Sequence, residues 1–187
     1  MVAIPGGFTP EEYLAIERET PIRHEYRHGL VYAMAGGSGN HSRIAINLLT
    51  AFNLHFTDDT CQFFSGDVKL NYADRFFYYP DAFVTCDRRD RTDPYIKRYP
   101  KLIAEVLSPS TEDFDRTTKF EDYQQLDSLE EYVLLSQDTM RVECFRRVET
   151  ADGTTWESVT YTAGDRVLLK SIDLEMAIAD LYRGVDL

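Results

Sequence analysis

Asp81 and Glu105 are the residues of this chain best suited to chemistry. Each is a lone acid in an apolar, strand-like stretch, Tyr79-Pro80-Asp81-Ala82-Phe83-Val84 and Leu102-Ile103-Ala104-Glu105-Val106-Leu107. Burying an isolated carboxylate costs several kcal/mol unless a cation or hydrogen bonds compensate it, so two such acids call for a joint explanation. If the strands pair antiparallel across the connection 87–100, Asp81 lies six residues before that connection and Glu105 five residues after it. They then stand at similar height and converge. A Mg²⁺-type ion, held by one or two carboxylates with water and phosphate oxygens, is the usual reason for such convergence.

The surrounding elements can be read in order. Thr9-Pro10-Glu11-Glu12 is an N-cap followed by proline at the first helical position and acids in the first turn, opening a helix to about Glu19. A hairpin of His24 to Arg27 and Leu30 to Ala35 flanks Gly29, and Gly36-Gly37-Ser38-Gly39 breaks the pattern before a helix near Asn40. In that helix Ile44, Leu48, Leu49 and Phe52 recur at helical spacing, giving an apolar face that packs on a sheet. Phe63 to Asn71 alternates as one strand, with Asp67 and Lys69 on a shared face. Ser110-Thr111 open a second long helix, in which Asp115, Lys119 and Tyr123 are spaced i, i+4, i+8 and lie along one face. Glu131 to Ser136 reads as a core strand, and Arg141 to Arg147 with Thr155 to Thr162 as a hairpin across Asp152-Gly153. Ile172 to Tyr182 reads as a strand end and a closing helix.

With 187 residues and 43% hydrophobic content, the chain fits one domain spanning 1–187. No apolar run approaches the roughly 20 residues of a membrane span, and Met1 to Pro10 lacks the basic start and apolar core of a signal peptide. The expectation is a cytoplasmic protein with no membrane partner. Cys61, Cys86 and Cys144 are odd in number, widely spaced and without a CxxC pair, which predicts buried thiols rather than disulfides or a zinc site. A net charge of -12 weighs against a DNA-coating role, since phosphate affinity comes from Lys and Arg. The basic stretch from Arg88 to Lys101 reads as a solvated loop some 15 Å from the carboxylates, at about 3.3 Å per strand residue.

The order helix, strand, strand with Pro-Asp, strand with Glu, helix, strand resembles the PD-(D/E)xK nuclease core of many type II restriction endonucleases. Tyr79-Pro80-Asp81, then Glu105-Val106-Leu107-Ser108-Pro109-Ser110-Thr111, then Asp115, Lys119 and Tyr123, is similar to the bacterial Uma family of restriction-endonuclease-like proteins. Phe8-Thr9-Pro10-Glu11-Glu12-Tyr13, His24-Glu25-Tyr26 and the Gly-rich turn ending in His41 fit the same pattern, so the resemblance covers nearly the whole chain. It implies an α/β restriction-endonuclease-like core: a mixed central β-sheet flanked by helices, with an N-terminal helix and hairpin and a C-terminal β-hairpin extension. The wider superfamily carries lysine two residues after the third-strand acid, where this chain has Leu107. The resemblance implies that Lys119, one helix later, supplies the ammonium near the scissile phosphate. Asp115 would orient it. The alternative for Asp115 and Lys119 is a surface ion pair worth a few tenths of a kcal/mol.

The resulting expectation is a metal-dependent endonuclease hydrolysing phosphodiester bonds of DNA. Asp81, Glu105 and the Val106 carbonyl would hold Mg²⁺ or Mn²⁺, and Lys119 would support attack. His41, Asp67, Asp115 and Tyr123 are supporting candidates, His41 for a phosphate or water near the metal, with a capping or packing role as the equal alternative, and Asp67 for a further metal-site acid, with a solvent face as its simpler reading. Glu25 reads as structural in an exposed hairpin. The Gly-rich turn lacks the Gly-Lys-Ser/Thr ending of a P-loop, which speaks against nucleotide binding. The alternative, favoured by the acidic balance and Leu107, is a nuclease fold used for binding or assembly with little cleavage. Acid/base chemistry on a small molecule has only the paired carboxylates behind it. The consecutive aromatics Phe76, Phe77, Tyr78 and Tyr79 cannot all face one core, which predicts a homodimer interface.

Overall fold

The computed structural model describes residues 3–4, 7–34, 36–151 and 153–187. After β1 (Ala3–Ile4), Thr9 launches α1 (Pro10–Glu19) through a capping box in which Thr9 and Glu12 each bond the other's backbone N–H. β2 (His24–Arg27) and β3 (Leu30–Ala33) form the expected hairpin, its turn using positive φ at His28 and Gly29; Ala35 lies outside the described residues. α2 (Gly39–His55) follows, then β4 (Gln62–Ser65), β5 (Lys69–Tyr72), β6 (Phe76–Tyr78) and β7 (Ala82–Thr85). β8 (Ile96–Lys97) and β9 (Leu102–Leu107) lead into helix α3 over 112–123. β10 (Glu131–Ser136), β11 (Arg141–Thr150), β12 (Gly153–Thr162), β13 (Arg166–Leu169) and β14 (Leu174–Ala177) precede a closing helical turn, Ile178–Leu181. Asp152, placed in the turn of the C-terminal hairpin, is outside the described residues.

The described strands make two six-stranded sheets, β1-β3-β2-β6-β5-β8 and β12-β11-β10-β9-β7-β4, and a two-stranded antiparallel sheet, β13-β14. The second is the mixed sheet expected at the centre: β9 and β10 are parallel, joined by α3, and its other pairs are antiparallel. The N-terminal hairpin is therefore part of a full second sheet, and the C-terminal hairpin prolongs the mixed one. Alternation along the strands sorts the apolar residues into layers. Ile44, Leu48 and Phe52 of α2 pack on Ala82, Val84, Leu102, Ala104 and Val133 from one face of the mixed sheet. The other face presents Phe83, Ile103, Tyr132 and Leu134 to Leu70, Phe76 and Tyr78 of the first sheet and to Tyr123 of α3. Tyr13 of α1 covers the far side of the first sheet with Tyr26, Val31 and Phe77.

Four expectations fail here. The alternating run Phe63 to Asn71 is not one strand: the chain turns at Gly66-Asp67 and passes from β4 in the mixed sheet to β5 in the other. The aromatic run is internal, because Phe76 and Tyr78 point into the core between the sheets while Phe77 points under α1, and Tyr79 is buried as well. It offers no interface. The cysteines are not all free: Cys61 and Cys86 form a disulfide, and only Cys144 is a buried thiol. The register explains it, since Gln62 pairs with Thr85 and the next pair outward is Cys61 and Cys86. Finally, the Arg88 to Lys101 stretch is organised rather than simply solvated. Buried Asp90 accepts from Thr85 Oγ1 and from the Arg98 and Tyr99 N–H groups, and buried Lys97 donates to the Asp90 and Asp93 carbonyls at 2.6 Å each. No helix among the described residues is long and apolar enough to cross a membrane.

Candidate active site

β7 and β9 pair antiparallel with Ala82 opposite Ala104, which sets Asp81 beside Glu105 as their spacing predicts. The two lock reciprocally: the Asp81 N–H donates to Glu105 Oε2 at 3.2 Å, and the Val106 N–H donates to Asp81 Oδ2 at 2.8 Å. Alternation turns Glu105 toward the first sheet, together with Ile103 and Leu107. Facing it, α3 consists of Glu112–Phe114, a π-helical turn Asp115–Lys119, and Phe120–Tyr123. π turns recur at functional sites. Buried Asp122 pins this helix to the first sheet, accepting from Arg27 Nε at 2.7 Å and from the Tyr78 hydroxyl at 2.6 Å.

Lys119 is thereby held in the interior. Its Nζ lies 3.1 Å from Glu105 Oε1, 3.1 Å from Glu25 Oε1 and 3.4 Å from Asp115 Oδ1, with the side chain 6% exposed. The surface-pair alternative is thus excluded. Tyr123 donates its hydroxyl to Glu105 Oε1 at 3.0 Å, and Tyr132 donates to the Asp115 carbonyl at 2.9 Å. Burial pulls an ammonium down, yet Glu105, Glu25 and Asp115 more than offset it and hold Lys119 well above the ordinary lysine range. Burial raises Glu105 well above its usual range despite Lys119, with Asp115, Asp81 and Glu25 adding repulsion, and it raises Asp115 too.

His41 completes the group from the N-terminus of α2. Ser38 caps that helix by accepting from the His41 N–H at 3.1 Å. Gly37 leaves room for the ring, since a Cβ on it would stand 2.9 Å from His41 Nδ1 and would displace the imidazole. The ring reaches Asp81, Nε2 to Oδ2 3.1 Å. Burial alone would lower its pKa, but the Asp81 carboxylate outweighs it and raises the imidazole above its ordinary value. These side chains enclose a pocket of about 90 Å³ bounded by Glu25, His41, Asp81, Glu105, Asp115 and Lys119.

Asp81, Glu105, Val106, Lys119, Asp115, Tyr123 and His41 therefore meet in one place. Asp67 does not. It sits exposed in the β4–β5 turn, paired with Arg23, on the solvent side that is the simpler of its two readings. Glu25 is the residue the sequence reading misplaced: it is 2% exposed, accepts from the Tyr79 N–H at 3.1 Å and holds Lys119. Both faces of β2 are covered, and the run of four aromatics in the neighbouring β6 segment was the signal that this sheet is buried.

Glu25 gives a pH expectation. Burial raises its pKa above 4.5; Lys119 and the Tyr79 N–H oppose the rise and Asp115 adds to it. A raised acid contributes stability that is full below its unfolded pKa and is lost as pH climbs through the folded value, with a limiting slope of about 1.4 kcal/mol per pH unit. In EDTA, the melting temperature of Glu25→Gln should fall less than that of wild type between about pH 5 and pH 8. Parallel curves would show that Glu25 ionisation is not linked to folding.

The acids converge on the Lys119 ammonium, and among the described residues no three His, Cys, Asp or Glu side chains are grouped so as to hold a metal ion. Still, the donor set fits a hard divalent cation that keeps much of its water. Asp81 is a quarter exposed to the pocket, and buried Asp115 Oδ1 has the Lys119 ion pair at 3.4 Å but no hydrogen bond.

Comparison with known proteins places the chain in a family. The Uma2 family, described as "Putative restriction endonuclease", matches residues 10–179. The chain belongs to the Uma2 family. Two uncharacterized proteins of Synechocystis sp. (strain ATCC 27184 / PCC 6803 / Kazusa) are similar to this Uma2 chain. One, slr1290, is 40% identical over 178 residues, covering 95% of this chain and 92% of that protein. The other, sll1609, is 34% identical over 151 residues, covering 79% and 85%. Among solved structures, a crystal structure described as a "putative nuclease" from Anabaena variabilis ATCC 29413 superimposes with a TM-score of 0.77 at 20% identity, covering 94% of this chain and 97% of that one. That likeness establishes the shared fold. The α/β architecture of Uma2 is thus the one the motif order implied.

Proposed function

We propose that this Uma2 protein is a divalent-metal-dependent endonuclease that hydrolyses phosphodiester bonds of DNA. The observation that carries the reading is the composition of the buried cluster: Glu25, Glu105 and Asp115 surround one ammonium, Lys119, and Asp81 lies beside them against His41. Such an excess of buried carboxylate is stabilised by a further cation. Asp81, Glu105 and the Val106 carbonyl are the residues that would hold Mg²⁺ or Mn²⁺, which supplies a Lewis acid for phosphate and water. Lys119 presents an ammonium at the acids, where it stabilises charge developing on the phosphate. Glu25 and Asp115 fix its position, Tyr123 fixes Glu105, and His41 orients Asp81. A second reading, a nuclease fold kept for binding or assembly, is favoured by one observation: carboxylates already surround the Lys119 Nζ.

Calorimetric titration with Mg²⁺ and Mn²⁺ tests the proposal. Wild type should bind the ion and melt at a higher temperature with it, by RT ln(1 + [L]/Kd), roughly 2.7 kcal/mol at a hundredfold excess over Kd. Asp81→Ala and Glu105→Ala should lose that rise. Equal metal-induced shifts in wild type and both variants would remove the site. Metal binding without nicking of plasmid or single-stranded DNA would support the second reading.

A further inference from the structure

The mixed sheet ends on an open strand. β12 pairs with β11 over ten consecutive positions, Arg141 with Thr162 through Thr150 with Gly153, without a bulge. Among the described residues, nothing pairs with its other side. Among the described residues, the backbone of 154–161 makes no hydrogen bond outside the β11 ladder. Among the described residues the other sheet edges are short: β1 and β8 have two residues each, and β4, β13 and β14 have four. Long edge strands are normally blunted by Lys, Pro, bulges or a covering loop. β12 has none of these. Its sequence, GTTWESVTYT, is rich in β-branched and aromatic residues, with Glu157 its one charge, and it is exposed apart from Trp156 and Tyr161.

We propose that β12 is the contact through which two copies of this chain pair, antiparallel about a two-fold axis, joining their mixed sheets edge to edge. Antiparallel pairing of a strand with itself is what two-fold symmetry produces, an isologous contact in which each copy supplies the same donors and acceptors. Charge selects the occupant. Two molecules of net charge -12 repel over most of their surfaces, and β12 is a nearly neutral strip of ten residues. A two-fold axis at Ser158 sets Glu157 opposite the partner's Val159, so no like charges meet. An axis at Glu157 itself is the one register that opposes like charges directly. The inference is independent of cleavage.

Sedimentation velocity on the full chain at tens of micromolar is the test. Wild type should sediment as two copies; a single-copy mass overturns the proposal. Ser158→Pro and Val159→Pro remove neighbouring N–H groups, which point to opposite sides of a strand, so one breaks the β11 ladder and the other faces outward. The variant that keeps the wild-type melting temperature should be monomeric, and a dimer from it overturns the proposal. Should neither proline variant fold, Ser158→Lys/Thr160→Lys places like charges along the contact without touching the backbone, and should raise the dimer Kd at least about tenfold. An unchanged Kd in that variant also overturns it.

Discussion

Lys119→Ala is expected to abolish Mn²⁺-dependent nicking of plasmid DNA and to lower the melting temperature at the same time. Both effects follow from one fact: the ammonium is buried among Glu25, Glu105 and Asp115. Removing one partner of a buried ionic group leaves uncompensated charge and destabilises by about 3–5 kcal/mol. Transition-state stabilisation is lost separately, so activity measured well below the melting temperature should still be absent. The ion itself should continue to bind, because the carboxylates and not the ammonium hold it, and its stabilising effect should be at least as large as in wild type. Lys119→Arg should recover activity only in part, since a planar fork does not replace a compact ammonium in a pocket of about 90 Å³. Full nicking by folded Lys119→Ala would end the assignment of the displaced lysine.

Reduction of Cys61–Cys86, or Cys86→Ser, should produce the other large effect, on stability alone. The bond closes a loop with a sequence separation of 25 residues. Loop-closure entropy for that length corresponds to about 3.5 kcal/mol. Urea unfolding with and without reductant should therefore give midpoints that differ in wild type and coincide in Cys86→Ser. Because Cys86 stands at the opposite end of β7 from Asp81, five residues along at about 3.3 Å each, metal binding should be unaffected by reduction below the transition. Identical wild-type midpoints in the two conditions would mean that the thiols are not joined in solution.

Local signals were legible in the sequence, and long-range ones were legible only where a motif spanned them. The capping box at Thr9 to Glu12 acts over three residues and gave α1. The Asp81 and Glu105 pairing follows from counting residues to either side of one connection, and the strand register, Ala82 opposite Ala104, agrees. The i, i+4, i+8 face of Asp115, Lys119 and Tyr123 survives the π turn between them. What sequence could not show was which sheet each strand joins. Gly66 interrupts a pattern that alternates on both sides of it, and the two halves then diverge into different sheets. The same ignorance hid the covered face of β2, and with it Glu25, and concealed the meeting of Cys61 with Cys86 across a pair of strands.

Glu25 belongs to the first sheet, Glu105 to the mixed sheet, and Lys119 to the helix lodged between them. The groups proposed to cut DNA are consequently also what joins the two layers at this depth. Selection for a folded chain alone would keep them in place, and single losses would be purged whether or not the protein still cleaves. Exchanging a whole buried ion cluster for apolar residues of similar volume is often neutral or stabilising. A lineage that had abandoned cleavage would therefore be expected to shed Glu25, Glu105 and Lys119 as a set, and to fill their space with hydrocarbon.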